Sequence, residues 1–368
     1  MITITFDKSC GDIIMPVQRK SIRELFRKNV ELFYISYPIK INLSVEHDAD
    51  NHDWMAKFLI EKSSTHKFHI AFNSFWLEGF APRNNRQLSV VNRTILHEII
   101  HGLDILTVED SHRKYLTNYQ SVRLLLVAEK SDFFWSLMYF FTLLRDEGIA
   151  LYGEALLLGS DSEKTDVELN EMLASDVELM LSAMEQNQVE GVDLDEVFSR
   201  VYAYGAYIFN ALFVEERKGK NASEHLLDLM KMDLSHWIWL FFKRLMPNHS
   251  YRILTHYSNH SIPWFLEKVS LKNEPKIHLM AYFKQLNIKP LSHENDIEPL
   301  HPERYSHDLH YMVHHRIANI WELMDNDLRP YMLSYFLSAQ DHLHDDLTFI
   351  GHLDDMLLLD YLEEYCCG

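Results

Sequence analysis

Leu96-His97-Glu98-Ile99-Ile100-His101-Gly102-Leu103-Asp104 contains the pattern H-E-x-x-H. Residues four apart share one face of a helix, so His97 and His101 can present two imidazoles to one ion. Glu98 then stands beside the ion without binding it, placed to take a proton from a water that the ion activates. With 22 His in 368 residues, the pattern arises by chance in on the order of one such chain in ten. Its surroundings therefore decide. Within residues 89–106, Ile95, Leu96, Ile99, Ile100 and Leu103 fall at helical spacing. Asn92 or Thr94 is placed to cap the N-terminus of that helix. The spacing predicts a buried helix with the two histidines flanking its apolar face.

Upstream, residues 1–90 read as mixed structure. Ile2–Phe6, Ile39–Val45 and Lys67–Phe72 alternate as strands, and Ser21–Tyr34 reads as a helix. Gly79, Pro82 and Asn84-Asn85 mark a loop before the histidine helix. Downstream the pattern is helical, with helices expected over 115–129, 131–158, 165–186, 193–216, 222–231, 234–246 and 263–285. Residues 287–304 hold three prolines and read as a linker, and 305–365 are helical again. The expected class is α+β. A small N-terminal sheet, within about residues 1–110, packs on the H-E-x-x-H helix, and a mainly helical remainder follows. The expected organisation is a domain over 1–286, the linker, and a helical domain over 305–368.

A hydrophobic share of 47% supports a large core. A formal charge of −19 argues against nucleic acid and anionic membranes as main ligands, because phosphate neutralisation needs clustered Lys and Arg. Three cysteines, Cys10, Cys366 and Cys367, imply no disulfide framework and suit a reducing compartment. The N-terminal stretch does not read as a signal peptide, so the chain is expected in the cytoplasm. Frequent Lys, Asn and Ile with few Gly suit an AT-rich bacterial genome, and a signal-peptide-independent export route stays open. The longest apolar run, Phe133–Leu144, is too short to span a bilayer and reads as a buried helix.

A catalytic zinc takes three protein ligands and keeps one position open. Position 107 is Thr, which excludes a third histidine six residues after the second. Asp104 lies one turn after His101, as a ligand or, more often for a carboxylate there, as the partner that orients a histidine. Glu147 directly follows the apolar run 133–144, where a buried carboxylate needs a partner that zinc would supply. Glu154, two turns further on the same face, is a reserve ligand. Residues 202–212 (Y-A-Y-G-A-Y-I-F-N-A-L) bring tyrosines, and a tyrosine hydroxyl near zinc can donate to an oxyanion. His307, His310, His314, His342, His344 and His352 could build a second metal site but read first as a polar helix face.

His97-Glu98-x-x-His101, then Glu147-Gly148-x-Ala150, then Tyr202-x-x-Gly205 with Leu212 beyond, in that order, resembles the gluzincin zinc metallopeptidases and the peptidase-MA-like families near them. The resemblance covers roughly residues 90–220. It implies zinc held by His97, His101 and Glu147, Glu98 as general base, and Tyr202 as the hydroxyl that stabilises the transition state, with Tyr204 as the near alternative. The His101-x-Leu103-Asp104 ending is similar to that of the lethal-factor-like gluzincins. The chain has no G-x-M-E-N motif upstream, so no exopeptidase rule carries over. Leu337–Asp360 resembles the YkvA-like domain of unknown function through Ser338, Asp341, Asp345, Gly351, Leu353, Asp354 and Asp355. Ala339, His344 and Thr348 stand where that domain usually has proline.

The function expected from these residues is zinc-dependent hydrolysis of peptide bonds in a peptide or protein substrate. The alternatives are a helical binding or scaffold protein with a structural or vestigial zinc site, and a zinc hydrolase of a non-peptide bond. A partner for the C-terminal segment is unspecified.

Overall fold

A computed structural model describes residues 2–11, 13–35, 38–47, 54–59, 63, 67–75, 85–107, 133–159, 165–186, 193–232, 234–246, 249, 252–253, 256, 275–290, 311–336 and 353–367. The chain is α+β, with one small sheet at the N-terminus and a mainly helical remainder. It forms two compact units, Met1–Asp233 and Leu234–Gly368. This division assigns the helices after residue 233 to the C-terminal unit. The expected linker at 287–304 falls largely outside the described residues, as does the helix expected over 115–129.

In the first unit, strands β1 (Ile2–Phe6), β2 (Ile39–Glu46), β3 (Ala56–Phe58) and β4 (Lys67–Asn73) lie in the order β1-β2-β4-β3. β1, β2 and β4 are parallel, and β3 pairs antiparallel with β4 at the edge. Helix α1 (Pro16–Glu31) makes the crossover between β1 and β2 that a parallel pair requires. It starts earlier than the apolar spacing alone indicates. Pro16 sits at the first helical position, and the Gln18 side chain accepts from the Met15 amide at 2.7 Å. β3 was not foreseen, because three residues carry no readable alternation.

The histidine helix, α2, runs over Asn85–Thr107. It begins two turns before the expected caps. Asn92 and Thr94 therefore lie inside it, and Asn92 instead accepts from Asn29 Nδ2 of α1 at 3.1 Å. Ile95, Leu96, Ile99, Ile100 and Leu103 are fully buried, as their spacing predicts. At Gly102 the helix lies so close to β4 that an added Cβ would fall 2.7 Å from the Phe68 ring.

Helix α3 (Phe133–Leu158) is the centre of the helical part. Leu137, Met138, Phe140, Phe141 and Leu144 are fully buried, and Arg145 is only 1% exposed, so the helix does not emerge into solvent there. Helices α4 (Asp166–Gln186), α5 (Leu194–Phe213) and α6 (Ala222–Met230) pack against it. α4 returns the chain, so α5 runs beside α3 in the same direction. The paired contacts Tyr139–Phe198, Gly148–Gly205 and Tyr152–Phe209 show this order. An added Cβ on Gly205 would lie 2.9 Å from the Gly148 Cα. The two backbones are in van der Waals contact there.

In the second unit, the described helices are α7 (Leu234–Leu245), α8 (Pro275–Gln285), α9 (Tyr311–Ile320), α10 (Arg329–Phe336) and α11 (Leu353–Cys367). Arg316 of α9 pairs with Glu363 and Asp360 of α11 at 2.6 and 2.8 Å, and Asp360 also accepts from Lys243 and Trp239 of α7. Asp354 and Asp355 are buried, and Tyr335 donates to Asp354 at 2.7 Å. The remaining residues of the YkvA-like stretch before Leu353 lie outside the described residues. So do His307, His310, His342, His344 and His352, while His314 falls on α9. Among the described residues, no helix is long and apolar enough to cross a membrane.

Gly205→Ala must push α5 away from α3. Overpacking of this kind costs about 1–3 kcal/mol, which we expect as a lower urea midpoint with an unchanged slope. An unaltered midpoint would show that the contact is not tight.

Candidate metal centre

α2 and α3 meet across a strip of ionisable groups. His97 and His101 lie one turn apart on α2, with ring centroids 4.7 Å apart and planes at 79°. Glu147 approaches from α3. Its Oε2 stands 3.1 Å from His97 Nε2 and 3.7 Å from His101 Nε2, and the two Nε2 atoms are 3.1 Å apart. Two ligands about 2.0–2.1 Å from a tetrahedral zinc are separated by about 3.3 Å. The three atoms therefore stand at the spacing that one zinc ion requires. Among the described residues, these three form the group of His and acidic side chains able to hold a metal. Their side chains are 14–17% exposed, enclosed yet reached by solvent.

His97 Nδ1 donates to Glu154 Oε1 at 2.7 Å. That bond fixes the ring, so that in the neutral imidazole the Nε2 lone pair points towards Glu147 Oε2 and His101 Nε2. Glu154, expected as a reserve ligand, thus occupies the orienting role expected of Asp104. Asp104 is engaged elsewhere. Both its oxygens accept from Arg145, at 2.6 and 3.0 Å, in a buried bidentate pair. Arg145 also donates to the Met232 carbonyl beyond α6 at 2.9 Å, so the pair ties α2, α3 and the end of α6 together.

Glu98 is buried and follows His97. Burial raises its pKa above the ordinary carboxylate value, and the Glu147 charge adds to this against the opposing histidines. The backbone N–H of Phe58 on β3 lies by its carboxylate and acts in the opposite direction to burial. A raised pKa makes it a stronger base than a solvated glutamate. Burial would raise Glu147 too, but hydrogen bonds from His101 and His97 hold it well below the ordinary range. For His97 burial acts downward, and the bonds to Glu147 and Glu154 outweigh it, placing its pKa well above the usual histidine value.

Tyr202 of α5 is 55% exposed, and its hydroxyl lies beside Glu147. Local burial and the charge of Glu147 hold the proton on the phenol. Tyr204 faces the other way. It is fully buried and donates to Asp176 of α4 at 3.0 Å, where Arg200 also binds. The 100° step per residue separates the two tyrosines.

Several contributors were not read from the sequence. The Gly148–Gly205 contact sets Glu147 and Tyr202 against each other, since each lies within one turn of its glycine. Arg145 adjoins the apolar run, and its burial was the missing signal. The Phe58 amide left no trace in side-chain pattern.

Glu154→Gln keeps the shape and removes the charge behind His97. Partners of this kind contribute about 10–100-fold to metal affinity, so zinc titration should show a loss of that size with one ion still bound per chain. Unchanged affinity would remove Glu154 from the centre. Metal takes neutral imidazole. His97 and His101 both have raised pKa values, so zinc binding near pH 7 should release protons. Affinity should climb with pH and level off above the histidine pKa values. Calorimetry in buffers of different ionisation heat would reveal the release, and a buffer-independent heat would contradict it. Comparison of the chain with family models, curated proteins and solved structures gives no match.

Proposed function

We propose that the chain is a zinc-dependent metallopeptidase of gluzincin type, hydrolysing bonds in a peptide or protein substrate. One observation carries this reading. Two histidine Nε2 atoms and one carboxylate oxygen, from two helices fifty residues apart in sequence, stand at zinc-ligand spacing. A buried glutamate and a tyrosine hydroxyl flank them. A structural zinc site is closed by four protein ligands. Three ligands with solvent access suit a catalytic one.

His97, His101 and Glu147 would hold the ion. Zinc, when bound, supplies the Lewis acidity that makes water a nucleophile near neutral pH. Glu98 takes the proton from the attacking water and later delivers it to the leaving amine. Its burial and raised pKa suit both directions of transfer. Tyr202, kept protonated beside Glu147, donates to the oxygen on which negative charge develops. Glu154 keeps the His97 ring in register through both steps. The scarce cysteines, of which Cys10 is buried against the Leu43 carbonyl, fit a cytoplasmic setting.

Glu98→Gln should retain stoichiometric zinc and lose hydrolysis of a casein or peptide-mixture substrate by at least about 10²–10⁴-fold. Tyr202→Phe should lower kcat by roughly 10²–10³-fold with zinc content intact. Persisting hydrolysis by zinc-loaded Glu98→Gln would sink the mechanism.

A further inference from the structure

We infer that Tyr139 and Phe198 form a side-chain subsite for a large apolar residue, preferably aromatic, of the substrate, within two residues of the cleaved bond. The inference rests on the peptidase reading for the word substrate. Its physical basis is the way the α3–α5 seam changes along its length.

Three residue pairs mark that seam. At the far end Tyr152 stacks on Phe209, and both are at most 2% exposed. In the middle Gly148 meets Gly205 with no side chain between. At the near end Tyr139 and Phe198 meet edge to face, centroids 4.9 Å apart and planes at 84°. Unlike the other pairs, these two rings are only half-buried. Their immediate neighbours Met138, Phe140 and Val197 are buried. The seam is thus closed below the metal centre and open above it, and aromatic rings line the opening.

The opening is continuous with the candidate centre. Phe198 and Tyr202 are four residues apart on α5 and share a face, about 6 Å apart along the axis. Tyr139 lies close enough for its hydroxyl to act electrostatically on Tyr202. Tyr202 itself is half exposed and reaches Glu147. An extended peptide advances about 3.3 Å per residue. A chain whose carbonyl lies at Tyr202 therefore places a side chain at the two rings within two residues. The edge-to-face pair offers ring surface. Among the described residues, the nearby carboxylates Glu147 and Glu98 lie against the histidines and the Phe58 amide, and Glu196 pairs with Arg200. An aromatic side chain adds to such a pair in the geometry that rings prefer.

The test uses the full chain carrying Glu98→Gln and loaded with zinc. The probes are alanine-based peptides with one phenylalanine moved through successive positions, and the readout is the dissociation constant by calorimetry. One phenylalanine position should bind about tenfold more tightly than the all-alanine peptide, the scale of a hydrophobic-pocket difference. Adding Phe198→Ala should bring that ratio towards one. Phe198→Leu, which retains most of the packing volume, should shift the preference from phenylalanine to leucine and serves if the alanine variant unfolds. Equal or undetectable binding across the scan overturns the subsite, as does a preference unmoved by both variants. A preference that follows Phe198, in a protein whose wild type cleaves none of the peptides, supports the subsite and overturns the peptidase reading.

Discussion

Charge buried between α2 and α3 is the constraint on which the first unit turns. An unpaired ion in an interior of Leu, Ile and Phe costs several kcal/mol, so each buried charge must meet a partner. Asp104 meets Arg145, and Glu154 and Glu147 meet His97, with His101 at the second carboxylate. These pairings fix the rotation and the axial position of the two helices together. A shift of one residue would turn the carboxylates of α3 by 100° away from the histidines. Satisfying charge in the core and bringing His97, His101 and Glu147 together are thus one geometrical requirement.

Close backbone approach supplies the remaining precision. Gly148 and Gly205 let α3 and α5 touch without intervening side chains. Glu147 is next to the first glycine and Tyr202 is one turn before the second. Their meeting follows from that contact, and no long flexible side chain has to bridge the gap. Gly102 does the same between α2 and β4, seating the histidine helix on the sheet. β3, at the sheet edge, then brings its Phe58 amide to Glu98. The small sheet contributes to the site by holding one helix and one amide.

The strands β1, β2 and β4 and nearly every described helix were legible, because period-2 and period-3.6 apolar spacing reports which face is buried. His97, Glu98 and His101 were legible for a local reason. One helix holds them, and helical geometry alone brings them together. Glu147 and Tyr202 were reached through burial logic and the ordered resemblance. Glu154 takes the orienting position expected of Asp104, and Asp104 pairs with Arg145 instead, since which carboxylate meets a histidine depends on the rotation between two helices.

The sequence by itself determined the α+β class, the buried helices and the two-histidine face with its adjacent glutamate, all consequences of spacing along one segment. Only the tertiary structure decided that Glu154 orients His97, that Asp104 belongs to Arg145, that Tyr202 rather than Tyr204 faces Glu147, and that Tyr139 and Phe198 stay half-buried at one end of the α3–α5 seam. These depend on the relative rotation and distance of helices far apart in sequence. Buried ion pairs and glycine contacts set that arrangement, and no local periodicity encodes it.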